Sequence, residues 1–332
     1  MSARISDMEY TTLGSTGIEV SRIALGCMSF GTPEWREWVL DESESREIIE
    51  RAIDLGINFF DTANMYSLGE SERILGNVLE GYDRDEQVVA TKVYFQMDED
   101  DPNSQGLSRK AIEQELSNSL DRLGMDTVDL YQIHRWDGDT PIETTLQALD
   151  DAVRRGRVRH VGASSMWAYQ FAESLHASDR LGLERFRTMQ NHYNLLYREE
   201  EREMLPLCDR EGIGVLPWSP LARGYLARPH DEFDVTTRGQ TDDHARNHPY
   251  FEGGGREINE RVAELAAEKG VTMAQIALAW LLHQDVVDAP IVGTTSVEHL
   301  EDAVEALEID LTASEQAYLE EPYEPVPVSG HE

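Results

Sequence analysis

Four titratable residues fall at or just past the ends of three successive strand-like runs: Asp61, Tyr66, Lys92 and His134. Lys92 closes the apolar run VVATKV (88–93), which reads as a strand buried on both faces. An ammonium ion in such a place must be paired or lose its proton. The chain holds only Lys92, Lys110 and Lys269 among 29 basic residues, so a lysine here is a marked choice. Asp61 ends the neighbouring run NFFDTA (58–63), Tyr66 follows in DTANMY, and His134 ends DLYQIH (129–134). Asp61 on the adjacent strand is the natural partner of the Lys92 ammonium, and four titratable groups at one rim are less probable as structural residues together than any one alone. Singly, each residue has an ordinary structural reading: a helix cap, a packed ring, a satisfied core imidazole. Lys92 alone would also suit a Schiff-base nucleophile of a barrel lyase or aldolase.

The elements that must carry these residues alternate along the chain. Short apolar runs at 23–28, 58–63, 88–93, 129–134, 160–165, 187–193, 214–220 and 289–294 are each followed by an amphipathic helical run. Strands that are apolar throughout belong to a parallel sheet covered on both faces. Eight such units predict an α/β fold, a (β/α)₈ TIM barrel. An open doubly wound sheet would want a glycine-rich first turn, and LGCMSFG does not supply one. Three additions surround the repeat: a β-hairpin over 11–20, a long polar loop over 223–255 after strand seven, and an extra helix over 272–284 before strand eight. The hairpin could close one end of the barrel. The chain is read as one barrel domain, core about 10–310, with a tail over 311–332 whose proline-rich part, EEPYEPVPV, cannot be helical. In a barrel, chemistry collects at the carboxyl ends of the strands, where all four residues fall.

Composition excludes several classes. The formal charge is −35, with 64 acidic residues spread along the chain. Such a coat repels nucleic acid and anionic lipid, so neither is expected as a partner. Acid excess with lysine depletion is the composition of proteins that work in high salt, where charges about 3 Å apart are already screened at ~1 M. Two cysteines, Cys27 and Cys208, make neither a disulfide framework nor a metal site. No apolar signal core opens the chain, and no apolar run is long enough to span a membrane. A cytoplasmic protein with no metal is expected.

The motifs DTANMYSLGESERILG, VVATKV, SLDRLGMDTVDLYQIH, VRHVGASS, MQNHYNLLYR and PWSPLARG, which span nearly the whole chain, resemble those of the aldo-keto reductases. RWDGDTPIETTLQAL and EEEREMLPLC resemble the aryl-alcohol-dehydrogenase-like branch. The resemblance implies NAD(P)-dependent reduction of aldehydes or ketones, with Tyr66 as general acid and Asp61, Lys92 and His134 around it. It further implies that Gly26, Met28 and Asp61 bind the cofactor and that Ser164, Ser165 and Gln190 meet its carboxamide, with Trp218 stacked on the nicotinamide ring. Ser219, Pro220, Leu221, Arg223 and Gly224 would run along the pyrophosphate, and Thr294, Thr295, His299 and Asp302 would meet the adenosine. The family's habit is NADP. Here Ala303 replaces a usual Asn, and only His299 offers positive charge to a 2′-phosphate, which leaves NAD open. Phe30, Trp35 and Trp136, with Trp38, are candidate walls of an apolar pocket for a small carbonyl or alcohol. Some proteins of this kind bind cofactor and regulate a partner with little turnover, which is the alternative within the family.

Overall fold

The computed structural model describes residues 8–331 except 247 and 249, and within that span not the side chains of 234, 244 and 245. Strands β1 (Tyr10–Thr12) and β2 (Glu19–Ser21) form the expected antiparallel hairpin. Gly14 in its turn has φ +47°, and a Cβ there would lie 2.4 Å from the Gly214 nitrogen, so only glycine lets the hairpin seat against the sheet.

The remaining strands are β3 (Ala24–Gly26), β4 (Phe59–Asp61), β5 (Val88–Val93), β6 (Val128–Ile133), β7 (Val158–Ser164), β8 (Phe186–Gln190), β9 (Gly214–Val215) and β10 (Ile291–Gly293). They make one eight-stranded parallel sheet in the order β10-β3-β4-β5-β6-β7-β8-β9. The two ends of that order meet: Val215 bridges Val287, and the Ile291 N–H donates to the Pro217 carbonyl at 2.9 Å. The sheet therefore curls on itself as a (β/α)₈ barrel.

Each strand leads to a helix on the outside: α1 (Glu42–Asp54), α2 (Glu70–Leu79), α3 (Arg109–Leu123), α4 (Ile142–Arg154), α5 (Ala168–Leu181) and α6 (Met204–Glu211). Their ends are written in sequence. Asp41 and Glu44 form a capping box on α1, Ser108 caps α3, and Gly124, Gly182 and Gly212 end α3, α5 and α6 in left-handed conformations.

The polar stretch 223–255 departs from the expected plain loop. It carries a 3₁₀ turn (His230–Val235) and the short helices α7 (Thr237–Thr241) and α8 (Asp243–Arg246) before α9 (Gly255–Lys269). Local hydrogen bonds stabilise these turns without an apolar stripe: the Thr236 hydroxyl accepts the Gly239 N–H, and Arg238 pairs with Asp242 one turn on. Amphipathic periodicity is therefore a poor guide to them. The extra helix α10 (Met273–Leu282) is present, and α11 (Val297–Glu305) follows β10. The tail is not irregular throughout. Thr312 and Glu315 cap α12 (Ala313–Glu320), and only the proline-rich residues after it lack helix. No single helix among the described residues is long and apolar enough to cross a membrane.

Two cores result. The larger lies between helices and sheet. The smaller fills the barrel's amino-terminal half with Ala24, Phe59, Val88, Ala90, Leu130, Leu216, Ala289 and Ile291, and Leu13 and Val20 of the hairpin close it from below.

Candidate active site

Side chains alternate along a strand, so residues two apart share a face. Phe59, Ala90 and Leu130 point into the apolar lower barrel. Two residues further on, the same inward rows carry Asp61, Lys92 and Gln132. Register sets Lys92 beside Gln132 and Asp61 beside Ala90, one inward position before Lys92. His134 continues the β6 row, its N–H bonded to the Val93 carbonyl at 2.9 Å. The barrel interior thus changes from apolar to ionisable within one layer.

Lys92 is fully buried and its ammonium is coordinated from three sides: Asp61 Oδ2 at 2.5 Å, the Thr62 carbonyl at 2.8 Å and the Tyr66 hydroxyl at 3.3 Å. Asp61 is held from behind, where its Oδ1 accepts from Gln132 Nε2 at 3.1 Å and Gln190 Nε2 at 2.9 Å. Tyr66 arrives from a turn (Tyr66–Gly69) in which Ser67 and Leu68 take left-handed φ of 48° and 51°. Its ring meets His134 edge-on at 5.8 Å. The four expected residues therefore come together.

The electrostatics assign states. Burial pulls the Lys92 pKa down, but Asp61 and then Tyr66 outweigh it, so the ammonium stays charged. Burial, with Lys92 and Arg135 nearby, holds His134 well below its ordinary value, so the imidazole is neutral. Burial raises the Tyr66 pKa on balance, and Lys92 is the largest influence against that rise. Lys92 thus limits the acidity lost to burial; it does not bring the phenol below its free value in this state.

On the other side of the mouth, Trp218 bridges His192 backbone to backbone, and its ring stacks on the His192 imidazole at 4.2 Å and 9°. Trp218 Nε1 donates to Ser165 Oγ at 3.0 Å, and Ser165 Oγ lies 3.1 Å from Ser164 Oγ. Arg223 has φ +55°, its guanidinium lies 5.9 Å from the Trp218 ring, and its Nε is buried without a hydrogen-bond partner. Arg223 also pairs with the buried Asp242 at 3.6 Å, as do Arg36 at 3.8 Å and Arg238 at 3.1 Å.

The other expected residues lie around this centre. The Gln190 amide nitrogen is spent on Asp61 and Gln132, which leaves only its oxygen to meet a carboxamide. The Ser165 hydroxyl anchors Trp218. Phe30 is fully buried in the outer core and walls no open pocket. Trp35 lies under Arg36, and Trp38 lies near both Arg36 and Arg238, so both pack against the arginines around Asp242. Trp136 is half-buried just past His134, and Met28 is half-buried in the turn after β3. Gly26 ends β3, where a Cβ would lie 2.9 Å from Ile291. Ser219 has a left-handed φ of 52°, its carbonyl accepting from Asn194 at 2.9 Å, and Pro220, Leu221 and Gly224 continue that turn. Thr294 is buried and bonded to Ser296, while Thr295 and His299 are exposed. Burial and then Glu305 raise the Asp302 pKa. Ala303 is buried in the core.

Sequence reasoning missed Gln132, Phe95, Arg135 and His192. Phe95 meets His134 edge-on at 4.9 Å. Arg135 donates to the His134 carbonyl at 2.7 Å, and its Nε is buried without a partner. Gln132 and Phe95 were legible by strand parity and by position just past Lys92; His192 had no local signal.

The model of the aldo/keto reductase family matches residues 22–324. The chain belongs to the aldo/keto reductase family. It is 44% identical to a Schizosaccharomyces pombe protein named as an aryl-alcohol dehydrogenase, over 97% of each chain. It is 43% identical to versiconal hemiacetal acetate reductase of Aspergillus parasiticus, over 96% of this chain and 98% of that one. An aldo-keto reductase of Alternaria alternata is 41% identical over 99% of this chain and 96% of its own. Members of the family generally use NAD(P)H. The chain is an oxidoreductase.

Proposed function

We propose that this aldo/keto reductase reduces aldehydes or ketones to alcohols, reversibly, with Tyr66 as the proton donor. The observation that carries the reading is the Lys92 ammonium held between Asp61 and the Tyr66 hydroxyl in a fully buried site. The residues also fit a nicotinamide: Trp218 presents a flat ring fixed at its Nε1, and Arg223 has a buried, unpartnered Nε beside it. Reduced nicotinamide, when bound, supplies hydride to the carbonyl carbon. The protein's part is the oxygen. The neutral His134 hydrogen-bonds it, and Tyr66 gives it a proton as negative charge develops. Lys92 stabilises the phenolate left behind, and Asp61, braced by Gln132 and Gln190, keeps Lys92 charged and in place. A compact ammonium suits that cage better than a guanidinium fork.

A Schiff-base role for Lys92 fits poorly, because the residue is wholly buried and its ammonium is stabilised as a cation. Phe95 and Trp136 beside His134 favour aryl or medium-chain carbonyls, in keeping with the aryl-alcohol dehydrogenase name of one relative. NADP is the cofactor expected from the resemblance. NAD is the second reading, because α11 carries Glu298, Glu301, Asp302 and Glu305 against His299 alone. The test is titration with NADPH and NADH, then oxidation of the tighter one by a panel of aryl aldehydes. Tight binding with no turnover on any carbonyl would overturn the catalytic reading in favour of a cofactor-binding regulator. The charge of −35 and the two buried free cysteines support a cytoplasmic, high-salt setting. Melting at least as high in dilute buffer as in ~1 M salt would defeat the salt proposal.

A further inference from the structure

We infer that His192 is a positioning residue for the cofactor: its imidazole backs one face of Trp218, so that the opposite face is a rigid platform for the nicotinamide ring. The inference rests on the nicotinamide-dependent reading above and extends it to a residue outside the catalytic set.

The imidazole is the middle plate of a three-ring stack. Trp218 lies 4.2 Å away at 9°, and Tyr197 lies 4.1 Å away on the other face at 12°. Rings this close and this parallel have little freedom to tilt. The stack is also pinned at its edges. His192 Nε2 faces the Tyr250 hydroxyl at 2.9 Å and the Asn194 amide nitrogen at 3.3 Å. Both contacts fall on this one ring nitrogen, and they fix the rotation of the ring within its plane. The far plate is tied down too: the Tyr197 hydroxyl accepts from the Ser329 N–H at 3.1 Å. Trp218 is fixed at its own edge by Ser165. Burial keeps the imidazole neutral, so the plate behind the indole carries no charge that would repel a cationic nicotinamide.

A ring held this way is pre-organised. A ligand that stacks on it need not immobilise the indole first, and that saving appears as affinity. His192 is buried between Trp218 and Tyr197, outside the hydrogen-bonded cluster around Lys92. Its loss should therefore weaken dinucleotide binding and leave the carbonyl substrate's KM nearly unchanged. A flat ring is what the role requires, while the polar contacts at Nε2 are secondary.

Two substitutions separate these demands. His192→Phe keeps a flat plate and loses the polar edge; His192→Gln keeps a polar atom near Nε2 and loses the plate. NADPH and NADH are titrated against each folded variant by quenching of tryptophan fluorescence, with near-ultraviolet circular dichroism of the indole as a second readout. His192→Gln is expected to weaken dinucleotide binding about tenfold and flatten the indole dichroism, while His192→Phe stays within about threefold of the parent. Equal binding by all three proteins, or tighter binding by Gln than by Phe, would overturn the inference. Failure of the unaltered protein to bind either dinucleotide would instead overturn the functional reading on which it rests.

Discussion

The two ends of the barrel are built from the same strands and ask opposite things of them. At the floor, Leu13, Val20, Phe59, Ala90, Leu130 and Leu216 fill the interior with apolar atoms. At the mouth, the next inward positions hold a carboxylate, an ammonium and two amides, all buried. Burying apolar groups stabilises; burying charge does so only when every charge is answered. The mouth meets that condition almost completely, with each Asp61 oxygen accepting and the Lys92 ammonium making three contacts. The comparison teaches that stability and chemistry are divided by height in the barrel, one layer apart. Substitutions at the mouth should then change rate, and substitutions at the floor should change melting.

Tyr66→Phe should lower carbonyl reduction about a thousandfold while dinucleotide titration and melting stay near those of the parent. A rate within a few-fold of the parent would remove the proton-donor role. Lys92→Met crosses the division. It should slow turnover about a hundredfold near neutral pH and also cost about 3 kcal/mol of stability, because it leaves Asp61 with two amides and no cation. Loss of stability with no loss of rate would make Lys92 structural only.

At the floor, Leu13→Ala should cost about 2–5 kcal/mol and lower the melting temperature, with kcat and both KM values unchanged in the folded fraction. A matching fall in kcat would show that hairpin and mouth are coupled. The smallest effect is expected at Asp288, whose Oδ2 accepts the Gly14 N–H at 2.7 Å beneath the barrel. Burial pushes its carboxyl pKa up from 3.8 to about 6. The folded chain therefore holds this proton more tightly than the unfolded chain does. Its contribution to stability is full below 3.8 and is lost as pH rises to about 6. Asp288→Asn should then gain stability over the parent between pH 5 and pH 8, by about 1–2 kcal/mol at the upper end. A gap that does not widen with pH would argue against burial as the cause.

Where the sequence reading and the structure part, burial and packing decide. Phe30 looked like a pocket wall because it follows a strand, yet its ring has no exposure. Trp35 looked like another, and it lies under an arginine of the cluster around Asp242.

The sequence alone determined the barrel, the hairpin and the place of Asp61, Tyr66, Lys92 and His134, because strand ends and a two-residue period are local properties that a run of residues displays directly. Only the tertiary structure decided that Gln132 and Gln190 brace Asp61 from 71 and 129 residues away, and that His192 backs Trp218. Such contacts depend on how a closed sheet brings distant strands level, and no local pattern of residue types encodes that distance.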